Sequence, residues 1–145
     1  MSQPKIVENP HYHLWTDALH GRTLVHQANN KWDRGTYVRW AVATAWTMIE
    51  IACQDALNER KISYSFRKNL DTAIDKQGFQ RLAWGSGVWQ RVTALQKKRK
   101  RYVHRFLSEP NLFPEAKIAD EAIDVVRTAV EAIYQHVSRP PPAWI

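Results

Sequence analysis

Apolar residues recur at helical spacing through most of the chain. The clearest repeat lies between residues 33 or 36 and residue 57, where the apolar positions are Val38, Ala41, Val42, Ala45, Met48, Ile49, Ala52, Ala56 and Leu57. This spacing predicts a long amphipathic helix. Trp40 and Trp46 widen its apolar face. We therefore expect the helix to lie centrally, with neighbours on several sides.

Four further segments carry helical patterns: residues 14–30 with Thr16 or Asp17 as cap, 65–76 ended by Gly78, about 86–107 after a Gly-Ser-Gly turn, and 114 or 115 to 136 or 137. No useful run alternates between apolar and polar residues, so we predict an all-α bundle of four or five helices. We assign residues 1–13 to an N-terminal lead-in, 14–138 to one helical domain and 139–145 to a proline-rich tail. That tail is expected to be extended and poorly packed.

Composition and charge narrow the class of protein. The 145 residues are 44% apolar, enough for a packed core. Residues 1–105 carry 18 basic and 8 acidic side chains, whereas residues 106–145 carry 3 and 6. A basic body favours a polyanionic partner, most often nucleic acid. Cys53 is the single cysteine and is expected to be a small buried hydrophobe. With no secretory signal and no apolar run of membrane-spanning length, a cytoplasmic protein without membrane contact is expected.

The most informative segment is residues 97–106, with six basic side chains and His104. Its stripe Val88, Val92, Leu95, Arg99, Tyr102 and Phe106 follows helical spacing, which puts Arg99 at a core position. A buried guanidinium needs an acid or a bound anion, and Glu50 is the acid most suspected of orienting it, with Asp55 second. The remaining basic residues lie off the stripe, where they can contact nucleic acid or simply remain solvated: Lys97, Lys98, Lys100, Arg101 and Arg105.

His104 follows Arg99 by five residues, or about 140° around a regular helix. The two side chains can converge only through the long arginine stem, a distorted turn or a second copy of the chain. Lys100 and Arg101 are helical neighbours of His104, and nearby positive charge disfavours the imidazolium form. His104 is therefore a candidate general base.

These residues resemble a known family. Residues 99–104 form an Arg-x4-His motif near a predicted helix end, preceded by a helix and followed by a proline-containing loop and another helix. This order resembles the HEPN superfamily (higher eukaryotes and prokaryotes nucleotide-binding domains), over the motif and, loosely, residues 36–137. Lys100 stands where members often carry a small polar residue. Phe106 stands where toxins modified by a nucleotidyltransferase antitoxin often carry tyrosine, so that mode of regulation looks unavailable.

The resemblance implies a metal-independent, cofactor-free endoribonuclease in which two protomers form a composite cleft. Arg99 would hold the scissile phosphate, and His104 would deprotonate the ribose 2′-hydroxyl or protonate the 5′-oxygen. Lys100 and Arg101 would position the RNA backbone, and the products would end in 2′,3′-cyclic phosphate. The family's habits also suggest a toxin or antiphage-defence role, with an antitoxin or a larger complex as partner.

Two other interpretations stay open. A catalytically silent HEPN-like domain that binds nucleic acid or dimerises fits the same basic helix, as does an interaction subunit of a larger complex. His11, His13, His20 and His26 lack partners at ligand spacing, so no metal site is predicted. Most of the tryptophans are expected in the core or a dimer interface: Trp15, Trp40, Trp46, Trp84 and Trp89. Trp144, behind three prolines, is expected to dock on a partner.

Overall fold

The computed structural model describes residues 8–62, 65–104, 107 and 109–145. Within these residues the chain forms five helices and no strands, which confirms the all-α bundle. The helices are α1 (Pro10–Gln27), α2 (Lys31–Leu57), α3 (Phe66–Lys76), α4 (Gly87–Val103) and α5 (Ala116–His136).

Helix α2 lies at the centre, as its broad apolar face predicts, and it contacts each of the other four helices. Small residues along it let neighbouring backbones approach: Gly21 of α1 packs against Ala41, and a Cβ added to Gly21 would lie 3.5 Å from the Ala41 Cα. Cys53 is fully buried, as predicted, and this burial raises the pKa of its thiol well above the usual range. A single hydrophobic core therefore forms around α2.

The first two helices begin earlier than their apolar patterns predict. Asn9 caps α1, its side-chain oxygen accepting the backbone N–H of His11 at 2.9 Å, and Pro10 stands at the first helical position. Asn30 caps α2 by accepting the backbone N–H of Asp33 at 2.8 Å. Asparagine is a strong N-cap and proline suits the first turn, so polar capping chemistry rather than apolar periodicity sets both starts. The predicted starts after residue 13 and at residue 33 or 36 are wrong.

Helices α3 and α5 follow their predictions closely, whereas α4 is shorter than expected. Gly78, at φ +78°, ends the turn after α3 as predicted. Glu115 occupies the N-cap of α5, so Pro114 lies just before the helix. Helix α4 ends at Val103 with His104 as its C-cap, and Leu107 lies beyond it. The expected extension of α4 to residue 107 is wrong.

The proline-rich tail packs against the bundle, contrary to expectation. Trp144 and Ile145 are half-buried against the core, and the Trp144 ring meets Tyr12 edge-on at 5.8 Å between centroids. Arg139 supports this path by donating to the carbonyl oxygen of Ala56 at 3.0 Å and to that of Asp55. Because these carbonyls belong to the last turn of α2, the arginine caps that helix end. Trp144 therefore packs within its own chain, so the prediction of a poorly packed tail is wrong, while docking of Trp144 on a partner stays a prediction.

Candidate functional site

The apolar stripe of α4 holds Arg99 against the bundle. Val92 and Leu95 are buried, while Arg99 and Tyr102 are half-buried at the next positions of the same stripe. The Nε of Arg99 is buried and has no hydrogen-bond partner among the described residues. A buried donor without a partner costs roughly 1–3 kcal/mol, a penalty that points to a functional constraint. Arg99 therefore lies at the position that the stripe predicts, but its side chain is only half-buried.

Arg99 and His104 meet, although a regular helix would place them about 140° apart. Arg99 Nη1 lies 3.2 Å from His104 Nε2. The helix ends between the two residues, and His104 sits outside α4 while its backbone N–H still donates to the Lys100 carbonyl at 2.8 Å. The long arginine stem and the helix end together produce the convergence, within one copy of the chain.

The polarity of this contact is set by its donor. A guanidinium only donates hydrogen bonds, so Nε2 of His104 is the acceptor in this contact. His104 is exposed to solvent and can therefore be reached by a substrate. The pair presents a cation and a proton acceptor side by side, a combination that can stabilise an anion and accept a proton.

Glu50 of α2 lies within the electrostatic range of Arg99. It is half-buried, and its Oε1 accepts the indole N–H of Trp46 one turn earlier. Burial raises the pKa of Glu50, and both the Trp46 hydrogen bond and the positive charge of Arg99 offset part of that rise. The suspected link between Glu50 and Arg99 is thus electrostatic, and its role in orienting the arginine stays a prediction.

Asp55, the second acid considered, belongs to another part of the bundle. Its Oδ2 accepts the phenol proton of Tyr134, and it lies 3.9 Å from Arg139 Nη2. Burial, followed by the bond to Asp55, raises the pKa of Tyr134. These contacts join α2 to α5 and to the tail, so Asp55 holds these parts of the bundle together.

Tyr102 links the arginine–histidine pair to the N-terminal half of α2. Burial and the charge of Glu109 raise the pKa of Tyr102 to about 12, while the cations Arg39 and Arg101 act in the opposite direction. Arg39 Nη1 also donates to the carbonyl of Leu112 at 2.9 Å. The sequence analysis did not identify Arg39. Its only signal was a basic residue next to Trp40 in a mostly apolar helix.

Side chains of α2 hold the loop between α4 and α5 by donating hydrogen bonds to its backbone carbonyls. Arg34 Nε donates to the carbonyl of Pro114 at 3.1 Å, and its Nη2 donates to that of Phe113 at 3.3 Å. Gly35 lies directly beneath this loop, because a Cβ built there would fall 2.9 Å from the Leu112 carbonyl oxygen. The loop after the Arg-x4-His segment is therefore held by long-range contacts.

The other basic residues predicted to contact nucleic acid differ in their exposure. Lys97, Lys100 and Arg101 are exposed. Lys98 is half-buried and lines a groove of about 360 Å³ between α4 and α5. Arg105 and Phe106, both named in the sequence analysis, lie outside the described residues.

The histidines considered as metal ligands have other surroundings. His26 pairs with Asp120 of α5 at 2.8 Å, and the His11 backbone takes part in the α1 cap. Across the described ranges, no cluster of three or more His, Cys, Asp and Glu side chains is arranged to hold a metal ion.

The tryptophans divide into two groups. Trp15, Trp46 and Trp89 are buried and Trp84 is half-buried, which confirms their predicted packing role. Trp40 is 58% exposed and lies outside the core, so its predicted place in the core is wrong, and a place in a dimer interface stays a prediction.

Fold and site together define a five-helix bundle with an arginine–histidine pair at the end of its fourth helix. No family model matches the chain, and neither the curated proteins nor the solved structures contain a match. In the part of the chain that the structure describes, no helix is long and apolar enough to cross a membrane. The likeness to HEPN domains accordingly rests on the motif and the helix order.

Proposed function

We propose that the protein is a metal-independent endoribonuclease of HEPN type that acts through Arg99 and His104. The observation that carries the proposal is the 3.2 Å contact between Arg99 Nη1 and His104 Nε2. It joins a permanent cation to an acceptor nitrogen at an exposed helix end, where a phosphodiester can approach. As part of this proposal, the enzyme works in the cytoplasm as a toxin or antiphage-defence effector.

Each side chain has a defined chemical task in this reaction. His104 removes the proton of a ribose 2′-hydroxyl, whose oxygen then attacks the adjacent phosphorus, or His104 gives a proton to the departing 5′-oxygen. Arg99 stabilises the extra negative charge on the phosphoryl oxygens. The bond from phosphorus to the 5′-oxygen breaks, which leaves a 2′,3′-cyclic phosphate and a free 5′-hydroxyl. Glu50 acts as a positioning residue for Arg99.

The exposed cations of α4 supply affinity without reading sequence. Lys97, Lys100 and Arg101 lie on the outer face of the same helix, so they can contact consecutive phosphates beside the pair. Val103 and Leu107 are exposed apolar residues on either side of His104. Pairing of two protomers through these residues would bring two arginine–histidine pairs into one cleft.

Cleavage of a labelled RNA in the presence of EDTA tests the proposal. The wild-type protein should cut the RNA and leave cyclic-phosphate ends, while His104→Ala and Arg99→Ala should each lower the rate by about 10²- to 10⁴-fold. RNA affinity of His104→Ala should stay near that of the wild type. His26→Ala is the matched control. It also removes an exposed histidine, but one on α1 that pairs with Asp120 of α5 and has no part in the proposed reaction.

Other results would overturn the assignment. Full cleavage by His104→Ala would remove this histidine from the reaction. RNA binding without cleavage by the wild type would favour the silent binding domain, to which the basic face of α4 is equally suited. Binding neither to RNA nor to itself would favour a subunit that needs a larger complex.

A further inference from the structure

A groove at the N-terminal part of α2 combines exposed aromatic surface with positive charge. It lies between the N-terminal part of α2 and the loop before α5, has a volume of about 320 Å³, and is lined by Trp32, Asp33, Thr36, Arg39, Leu112 and Phe113. Ligand pockets typically measure about 300–1,000 Å³, so this groove suits a group the size of a single nucleoside.

The aromatic part of the groove is built for flat ligands. Trp32 is 67% exposed, so much of its ring surface faces solvent. Phe113 holds it at a fixed angle, with 4.7 Å between the ring centroids and 86° between the ring planes. A large indole left open in this way costs solvation free energy unless a ligand covers it.

Cations surround these rings. Lys31 Nζ lies 4.5 Å from the centre of the Phe113 ring, and Arg34 holds the same residue through its carbonyl. Arg39 lines the groove itself. Two carboxylates stand against these three positive charges. Asp33 accepts a hydrogen bond from the Asn30 side chain at 3.0 Å, and Glu115 lies 3.7 Å from Arg34 Nη2. Aromatic rings among cations suit a ligand that has both a flat base and a phosphate.

Arg39 also connects the groove to the proposed catalytic pair. The same guanidinium that lines the groove acts on the pKa of Tyr102, which lies three residues after Arg99 and two before His104. Arg39 thus lies within electrostatic range of the helix that carries the pair.

We propose that this groove binds one unpaired nucleobase of a single-stranded RNA by stacking it on Trp32, while Arg39 contacts the adjoining phosphate. The inference rests on the proposed ribonuclease function and specifies its substrate as unpaired RNA. A base held in a duplex has both faces covered by its neighbours, so it cannot stack on the indole.

Binding of 2′-O-methyl RNA tests this subsite without any cleavage, because the attacking hydroxyl is absent. Trp32→Ala should weaken binding of a single-stranded oligomer by roughly 5- to 100-fold and leave duplex binding unchanged. Trp32→Phe should recover part of the loss. An abasic oligomer should bind wild type and Trp32→Ala equally, since no base remains to stack.

Trp40→Ala is the matched control, because Trp40 is also exposed on α2 but does not line the groove. Equal losses in Trp32→Ala and Trp40→Ala would overturn the assignment to this groove, as would equal binding of single strands and duplexes. If Trp32→Ala instead dissociates a dimer, the groove is a protein interface and the inference fails.

The cleavage assay separates this inference from the proposed function. Cleavage that needs His104 but is indifferent to Trp32→Ala at sub-saturating RNA would overturn the subsite alone. Trp32-dependent binding without any cleavage would overturn the ribonuclease and keep the subsite. Absence of binding to every oligomer would overturn the subsite directly.

Discussion

Polar groups have different surroundings in two regions of the molecule. The first region is the interface of α1, α2 and α5, and the second is the C-terminal end of α4. In the first region buried positions are apolar, and the polar contacts, such as Tyr134 with Asp55, lie at its border. In the second, the guanidinium of Arg99 enters the stripe of α4, and its Nε has no partner within the part of the chain that the structure describes. The interface also leaves one donor unpaired, the Trp15 indole, but that group carries no charge.

The difference separates the source of stability from the source of chemistry. Burial of apolar surface provides most of the folding free energy, so the first region contributes strongly to the stability of the fold. The end of α4 can then tolerate a poorly satisfied cation and exposed apolar residues. We expect substitutions in the first region to lower the free energy of unfolding. Substitutions at the end of α4 should lower the rate of RNA cleavage and leave the free energy of unfolding nearly unchanged.

One apolar residue from each region gives the largest contrast in stability. Ile133 is fully buried in α5 and Leu107 is fully exposed beyond α4. Ile133→Ala should lower the free energy of unfolding by about 2–5 kcal/mol, since it leaves a cavity. Leu107→Ala should change it by less than about 0.5 kcal/mol. Urea denaturation measures both, and a Leu107 effect of the same size as that of Ile133 would show that the α4 end belongs to the core.

Two glycines give a smaller contrast of opposite sign. At Gly21 a Cβ makes ordinary contact with Ala41, so Gly21→Ala should stabilise the protein by roughly 0.5–1 kcal/mol through helix propensity. At Gly35 a Cβ meets the Leu112 carbonyl oxygen at 2.9 Å, so Gly35→Ala should cost about 1–3 kcal/mol in strain. Chemical denaturation distinguishes the two variants. Equal stabilisation would mean that the loop before α5 is not held closely against α2.

Glu50 should produce the smallest effect, visible as a pH dependence. Its folded-state pKa is raised above the ordinary 4.5, so the folded protein binds the proton more tightly than the unfolded chain. This contribution is present below pH 4.5 and is lost as the pH rises through the raised folded-state pKa. Glu50→Gln should remove that loss, by less than about 1 kcal/mol for this half-buried group.

Unfolding free energies measured from pH 4 to pH 7 test this expectation. Asp71→Asn is the matched control, because Asp71 also accepts a tryptophan N–H, from Trp84 at 2.9 Å. It reports the effect of removing a carboxylate that is hydrogen-bonded in the same way. If Glu50→Gln and Asp71→Asn gave identical pH profiles, burial beside Arg99 would not be what distinguishes Glu50.

Local sequence patterns predict the interiors of the helices better than their ends. The α2 repeat correctly indicates a central helix, and the α4 stripe correctly turns Arg99 toward the bundle, where it is half-buried. The starts of α1 and α2 depend on Asn9 and Asn30, whose capping bonds leave no periodic signal. The contact between Arg39 and Leu112 joins residues 73 positions apart, so no local pattern reveals the groove.

Regular helix geometry likewise could not predict that Arg99 and His104 meet. An angle of 140° holds only while the helix continues, and α4 ends at Val103. The sequence analysis did include the long arginine stem and a distorted turn among the ways to converge. The structure uses the stem together with the helix end.

Helix α2 also fixes the distances between the side chains that lie along it. It is unbroken over 27 residues and carries Trp32, Arg39 and Glu50 on one element. At 1.5 Å per residue, Trp32 and Glu50 are separated by about 27 Å along the axis, and that spacing cannot shorten without breaking the core. An RNA strand that contacted Trp32 and also reached the level of Glu50 would have to span that length, so the core of the protein would fix the distance between the two contacts.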